Sequence, residues 1–379
     1  MRILITGVGV LTTVGIGASR TFENMLLGQA SGRPEIPDFD PKLFLGNRGI
    51  RHFDRTGLLL ASGARLAADQ RGLDTAGYRP EEFGVVVGST HGSIQAIAEF
   101  DQEAVREGPN YVNPQDFANT VINAPASRVS IMFGYTGLNS TIASGAASAL
   151  DALNYGLSML RSRRIGVLLC GCALGYSREI AEGYGRIGKM VPAGDGCVPF
   201  ASGRRGATLA EGAAVFVLEE EASALSRRAH PLAVVAGVGS AFSTDASRLT
   251  TAMKQALAQA ELSPEQISCI VSFASGSPAG DLEEGEALGG LFDGIPVTAP
   301  KSLTGDCLEA SGAIHLAVAV HSIQSGKIPP IARLQNVDPA FSRLDLVRGA
   351  PRQGPVDHVL VNVREDSGHC ASAVISKLG

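Results

Sequence analysis

Residues 139–160 read NSTIASGAASALDALNYGLSML. Leu150, Leu153, Leu157 and Leu160 recur at three- and four-residue spacing, which puts one apolar stripe on a helix. The stretch therefore predicts a helix over Ala146–Leu160, approached through the small residues Ser144-Gly145-Ala146. Outward from it, β-branched runs recur at Ile3–Val10, Val85–Gly88, Ile165–Cys170, Ala213–Leu218, Leu232–Val238, Cys269–Phe273, Val359–Val363 and Ala371–Ile375. Gly, Pro or polar residues bound each run, as they bound buried strands. Helical patterns lie between them at Ser19–Leu27, Gly57–Gln70, Arg248–Leu262 and Ser311–Ile323. Ser263-Pro264-Glu265-Gln266 offers an N-cap, a proline at the first helical position and a capping-box glutamine. Strands alternating with helices predict an α/β architecture. Arg227–Pro231 is the best candidate boundary between two similar halves, 1–228 and 229–379, each ending in paired strands.

With 379 residues, 45% of them hydrophobic, the chain can bury a large core. A net charge of -5 without a long basic run gives nucleic acid or an anionic membrane little to hold. It also disfavours this chain as the main docking surface for an acidic protein. Aromatic residues make up 5% and Trp is absent, so base-stacking platforms are not expected. Cys170, Cys172, Cys197, Cys269, Cys307 and Cys370 form no CxxC pair and read as buried, reduced thiols of a cytoplasmic protein. No cysteine or histidine pairs have zinc-ligand spacing, so no metal is expected, and no cofactor either. MRILITGVGV reads as a first strand rather than a signal peptide, and no apolar run reaches membrane-span length.

Several segments, in order, resemble the β-ketoacyl-(acyl carrier protein) synthase family. They are ILITGVGVLTTVG near the N-terminus, residues 113–153 (NPQDFANTVINAPASRVSIMFGYTGLNSTIASGAASALDAL) and ATLAEGAAVFVLEE. ELSPEQISCIVSFASGSPAGDLEEGEAL, APKSLTGDCLEASGAIHLAVAV, IPPIARLQNVDP and VLVNVREDSGHCASAVI follow. The resemblance spans nearly the whole chain. It implies a thiolase fold, two similar halves in five layers αβαβα, and a tight dimer.

It also implies a chemistry, and the residues for that chemistry are missing. A ketosynthase carries its acyl chain on a cysteine at a helix start, where the dipole lowers the thiol pKa. Two histidines assist decarboxylation and stabilise the developing oxyanion. The family's Thr-Ala-Cys-x-Ser-Gly falls on Ser144–Ala149, with Ala146 in the cysteine position. Asn-Ala-His-Gly-Thr-x-Thr-Pro-x-Gly-Asp falls on Val271–Asp281, with Phe273 for the first histidine. Lys-Ser-x-x-Gly-His falls on Lys301–Asp306: Lys301 is kept and Asp306 replaces the second histidine. The gating loop Asn-Ser-Phe-Gly-Phe-Gly-Gly falls on Asn362–Gly368, with Arg364 and Asp366 for its phenylalanines. Such charges are expected to line an acyl pocket only at the cost of lying unpaired.

Other reactive side chains read differently. His315 and His321 sit on an apolar helix and are expected to pack. His91 reads as a turn or capping residue, and His369 lies nearer the degenerate site. Ser144 and Ser148 have no base within sequence reach. Cys307, beside Asp306, is the best substitute nucleophile.

What survives is the dimer-edge segment 113–134. In the family it lines the end of the acyl pocket against the partner subunit. Phe117, Val121, Ala124, Pro125 and Met132 are the channel and interface candidates, with helical spacing placing Phe117, Val121 and Ala124 on one face. The chain thus resembles a chain-length factor of a type II polyketide synthase. It is expected to pair with an active ketosynthase and to meet acyl carrier protein mainly through that partner. Chain-length factors often carry Gln in the cysteine position. Ala146 lacks even that amide donor, which points away from the aromatic branch and toward polyene-type systems. The alternatives are an acyltransferase-like enzyme using Cys307, or a stand-alone acyl- or carrier-protein-binding protein.

Overall fold

Strand β1, Ile3–Thr12, is buried along its whole length. Gly7 and Gly9 explain how helix α2, Arg55–Asp69, lies so close on it: a Cβ at either would run into the backbone oxygen of Ala67 or Gly63. The same device recurs in the second half of the chain. Gly237 and Gly239 of strand β6, Ala233–Phe242, leave room for the backbone oxygens of Ala256 and Ala252 in helix α7, Ser247–Ala260. These positions belong to a computed structural model that describes residues 1–69, 73, 77–192 and 197–379.

The repetition extends to topology. The first half contributes β1, β2 (Phe83–Gly88), β3 (Asn139–Ile142), β4 (Val167–Leu174) and β5 (Gly212–Glu220), in the spatial order β3-β2-β4-β5-β1. The second contributes β6, β7 (Cys269–Val271), β8 (Pro296–Thr298), β9 (His358–Arg364) and β10 (His369–Ser376), in the order β8-β7-β9-β10-β6. Both halves run through the same pairings, parallel on the first two neighbours and antiparallel on the last two. They join where Ile3–Ile5 pairs antiparallel with Val235–Ala233.

Helices α5 (Ser148–Arg161) and α9 (Glu309–Ser325) pack against each other and against strands of both halves. Gly312 permits this approach, since a Cβ there would press on Ala149 and Val363. Helix α9 is buried on nearly every side, as a central helix that is apolar all round must be. The outer layers are α2 with α4 (Ala124–Phe133) on one face, and α7 with α8 (Pro278–Leu291) on the other. The remaining helices of at least eight residues are α1 (Ala18–Leu26), α3 (Ile94–Glu107) and α6 (Arg178–Arg186). This is the expected five-layered αβαβα fold.

Three local expectations change. Ser263–Gln266 does form a reciprocal capping box, but over a single 3-10 turn, Pro264–Gln266, rather than an α-helix. The helix expected from Ala146 begins at Ser148, because Gly145 takes φ +63° and Ala146 still belongs to the turn. The helix over 57–70 reaches Asp69, and Gln70 lies outside the described residues. Among the described residues no helix is long and apolar enough to cross a membrane. All six cysteines are buried and unpaired.

Candidate functional site

Ala146, Phe273 and Asp306, from three separate segments, line one small cavity of about 80 Å³ together with Arg364 and Asp366. The turn from β3 into α5 presents Ala146. The loop after β7 presents Phe273, and the turn before α9 presents Asp306. The alignment of all three to one site is therefore geometrically consistent, and the site holds no cysteine or histidine at those places.

Lys301 stands behind the cavity and is fully buried. Its ammonium lies 3.1 Å from the centre of the Phe273 ring and 2.9 Å from Asp306 Oδ2. Phe273 thus offers its negative π-face, and Asp306 a full charge, to an otherwise isolated buried cation. Asp306 Oδ1 accepts the Leu308 N–H at 2.9 Å and the Ser311 hydroxyl at 3.0 Å. Both oxygens of this carboxylate are thus engaged by Lys301, Leu308 and Ser311. The Phe273 loop is held in turn by buried acids. Glu284 accepts the N–H groups of Phe273 and Ala274 at 3.0 and 2.8 Å. Asp281 accepts those of Phe200 and Gly276 at 2.9 and 3.0 Å, and burial pushes its pKa up to about 6.

The gate contradicts the expectation of unpaired charge. Arg364 Nε meets Glu283 at 2.7 Å and its Nη1 meets Asp366 at 2.6 Å. Asp366 also meets Lys189 at 2.7 Å, and Arg248 meets the same Glu283 at 2.6 Å. Burial works against ionised Asp366, yet Lys189 and Arg364 hold its pKa below the usual carboxylate value. The charges come from four segments distant in sequence, which is why no local reading pairs them.

Sequence reasoning missed further members. Glu365, between the two noted gate residues, accepts the Ala146 N–H at 2.7 Å. His91 is no simple turn residue: it lines the cavity, with Nδ1 2.7 Å from Glu309 Oε2 and Nε2 3.1 Å from the Tyr184 hydroxyl. Burial opposes charge on this imidazole, but the hydrogen bond and charge of Glu309, aided by Glu365, raise its pKa above 6.5. Glu309 is 1% exposed and also takes the N–H groups of Thr90 and His91. The only sequence signal was a glutamate in the first turn of α9, which the helix dipole favours without any functional reason.

The remaining candidates fall elsewhere. Cys307 is 0% exposed, and burial with the adjacent Asp306 charge pushes its thiol well above the ordinary value. That setting is opposite to what a nucleophile requires, so the alternative placed on Cys307 is corrected. Ser144 donates to Asp151 at 2.6 Å, and Ser148 Oγ is 2.9 Å from Thr90 Oγ1. His369 meets Ser240 at 2.9 Å and lies 3.4 Å from Asp151. In that arrangement the Asp151 carboxylate sits between serine and histidine, so the imidazole of His369 does not face the Ser144 hydroxyl. His321 stacks on Phe22 and His315 packs edge-on to Phe273, as expected of packing residues. Among the described residues no histidine, cysteine and carboxylate cluster is arranged to hold a metal.

At the interface segment, Phe117, Val121 and Ala124 do not share one helical face. Phe117 lies in a 3-10 turn, Asp116–Asn119, and α4 starts afresh at Ala124. Pro125 has no N–H to return to Val121, so a helix cannot run through from Phe117. Ala124 and Pro125 are buried within the chain, and Met132, near the end of α4, packs half-buried against the core. Phe117, Val121, Ile122 and Ile131 are exposed, Ile131 by 77%. Strand β3 beside them lies at one end of the sheet, and among the described residues no strand pairs with its outer edge.

Comparison with known proteins agrees with this geometry. Residues 28–224 match the beta-ketoacyl synthase N-terminal domain, and residues 233–335 match the beta-ketoacyl synthase C-terminal domain. The tetracenomycin polyketide synthase ketoacyl synthase alpha subunit of Streptomyces glaucescens is 30% identical, over 99% of this chain and 97% of that protein. The 3-oxoacyl-(acyl-carrier-protein) synthase 2 of Coxiella burnetii is 27% identical, over 100% of this chain and 99% of that protein. The solved ishigamide ketosynthase/chain length factor superimposes with a TM-score of 0.95 at 25% identity, covering 100% of this chain and 99% of the other.

Proposed function

This chain belongs to the beta-ketoacyl synthase family, and we propose that within it the chain is a non-catalytic, chain-length-factor-like subunit. It pairs with an active ketosynthase in type II polyketide biosynthesis of the polyene type and shapes the acyl channel at the shared interface. One observation carries the reading: Ala146, Phe273 and Asp306 converge on a single cavity, and each is engaged in packing or ion pairing rather than poised for chemistry. The apolar residues exposed beside the outer edge of β3 support it. An isolated soluble chain gains nothing by exposing them, whereas an obligate interface of more than about 2,000 Å² would bury them. The likeness to a solved ketosynthase/chain length factor supports the same pairing. Acyl carrier protein reaches this subunit mainly through its partner.

Co-expression with a ketosynthase chain that keeps the cysteine and both histidines tests the proposal. A one-to-one heterodimer is expected in light scattering, with acylation confined to the partner's cysteine in mass spectra. A stable acyl adduct on this chain, or a monodisperse monomer that ignores the partner, would overturn it.

A further inference from the structure

We infer that residues 364–368, between β9 and β10, form a latch whose bolt is the Glu365 carboxylate. The bolt sits on the turn just before α5, a helix of 14 residues whose dipole favours a negative oxygen near its start. Glu365 Oε2 accepts the Ala146 N–H at 2.7 Å and Oε1 accepts the Asp366 N–H at 2.9 Å. Any acyl group carried at position 146 would bring its carbonyl oxygen to that same Ala146 N–H. Gly145 supplies the notch: at φ +63° it carries no Cβ, and one placed there would strike the carboxylate. The keepers are the ion pairs of Arg364 to Glu283 and Asp366, and of Asp366 to Lys189. They fasten the loop to α8 and to the segment following α6.

The site is therefore closed twice. The absent nucleophile is one closure; the occupied donor, the Ala146 N–H, is the other, and it persists when a nucleophile is supplied. A carboxylate beside a thiol also disfavours the thiolate. The latch is a property of this chain alone and stands whether or not the proposed pairing is correct.

Alkylation kinetics test it. Ala146→Cys is compared with the double variants Ala146→Cys/Glu365→Gln and Ala146→Cys/Glu365→Gly in the full chain, with iodoacetamide as probe and mass spectrometry to locate the adduct. The native thiols, all buried, are the slow internal reference. Glu365→Gln is expected to speed modification at position 146 by about tenfold at neutral pH, the change for one pKa unit, and to shift the pH–rate midpoint downward. Ala146→Cys/Lys189→Ala, which loosens a keeper, should fall between. Equal rates and midpoints in all variants would overturn the latch. If the glycine variant does not fold, the glutamine pair decides. Hydrogen exchange at the Ala146 amide, faster in Glu365→Gly alone, which removes the acceptor, than in the parent, gives a readout free of any introduced thiol; no change there would likewise overturn it.

Discussion

The buried ammonium of Lys301 lies 3.1 Å from the centre of the Phe273 ring, and this contact closes the floor of the cavity that Ala146 and Asp306 also line. A cation with no exposure to solvent must be compensated locally. Phe273 and Asp306, the replacements for two family histidines, supply that compensation. The charges behind the pocket are balanced within the core.

Restoring the second family histidine is therefore expected to cost stability. Asp306→His removes the counterion of Lys301 and the acceptor of the Leu308 N–H. Breaking a buried pair from one side costs about 3–5 kcal/mol. Urea midpoints should show that loss, and Lys301→Met/Asp306→Leu should recover most of it. A neutral Asp306→His would mean that the pair contributes nothing.

Ala146→Cys should not restore condensation. The introduced thiol would face Phe273 and Asp306, not two histidines, and Glu365 would hold the neighbouring N–H. Turnover with malonyl carrier protein from this single change would show that the two histidine positions are misplaced.

His315 is buried in α9, and among the described residues neither ring nitrogen has a hydrogen-bond partner. Burial first, and the charge of Lys301 second, depress its pKa well below 6.5. His315→Leu removes an unsatisfied buried polar group and should stabilise by about 1–3 kcal/mol at neutral pH. The sign of the pH effect follows. The folded ring stays neutral, while the unfolded ring takes a proton below about pH 6.5. The unfolded state thus binds more protons, and stability falls as pH drops, by up to about 1.4 kcal/mol per pH unit. His321, depressed to about 4 by burial, acts in the same direction. His91, whose pKa is raised, acts oppositely. The difference between parent and His315→Leu isolates the one residue: it should widen as pH falls from 7 toward 5 in urea titrations, and a constant difference would refute the assignment.

The interface can be separated from the core. Ile131 is 77% exposed, so Ile131→Asp should leave the isolated chain within about 0.5 kcal/mol of the parent yet abolish the heterodimer. Ala124 is only 5% exposed, so Ala124→Phe should overpack α4 and destabilise by about 1–3 kcal/mol. Val121→Phe, on the exposed stretch, is the better probe of the channel. In the assembled heterodimer it should shorten the released chains at near-normal initial rate, as reverse-phase analysis would show. Unchanged length would remove Val121 from the channel.

The sequence by itself determined the architecture and the losses. Buried β-branched runs and apolar helix stripes carry a period that any local window reads. The Gly-x-Gly of β1 and of β6 mark where helices must approach. The replaced residues at 146, 273 and 306 were legible because each lies in a colinear motif. Tertiary structure alone decided what those replacements do. Glu283 for Arg364 and Ala146 for Glu365 lie on other segments, 219 positions away for the second, and a charge pair leaves no periodic trace. The same reason hid His91 with Glu309. It also turned Ala124 inward, because burial depends on what packs across the segment, and a sequence window contains only one side of that contact.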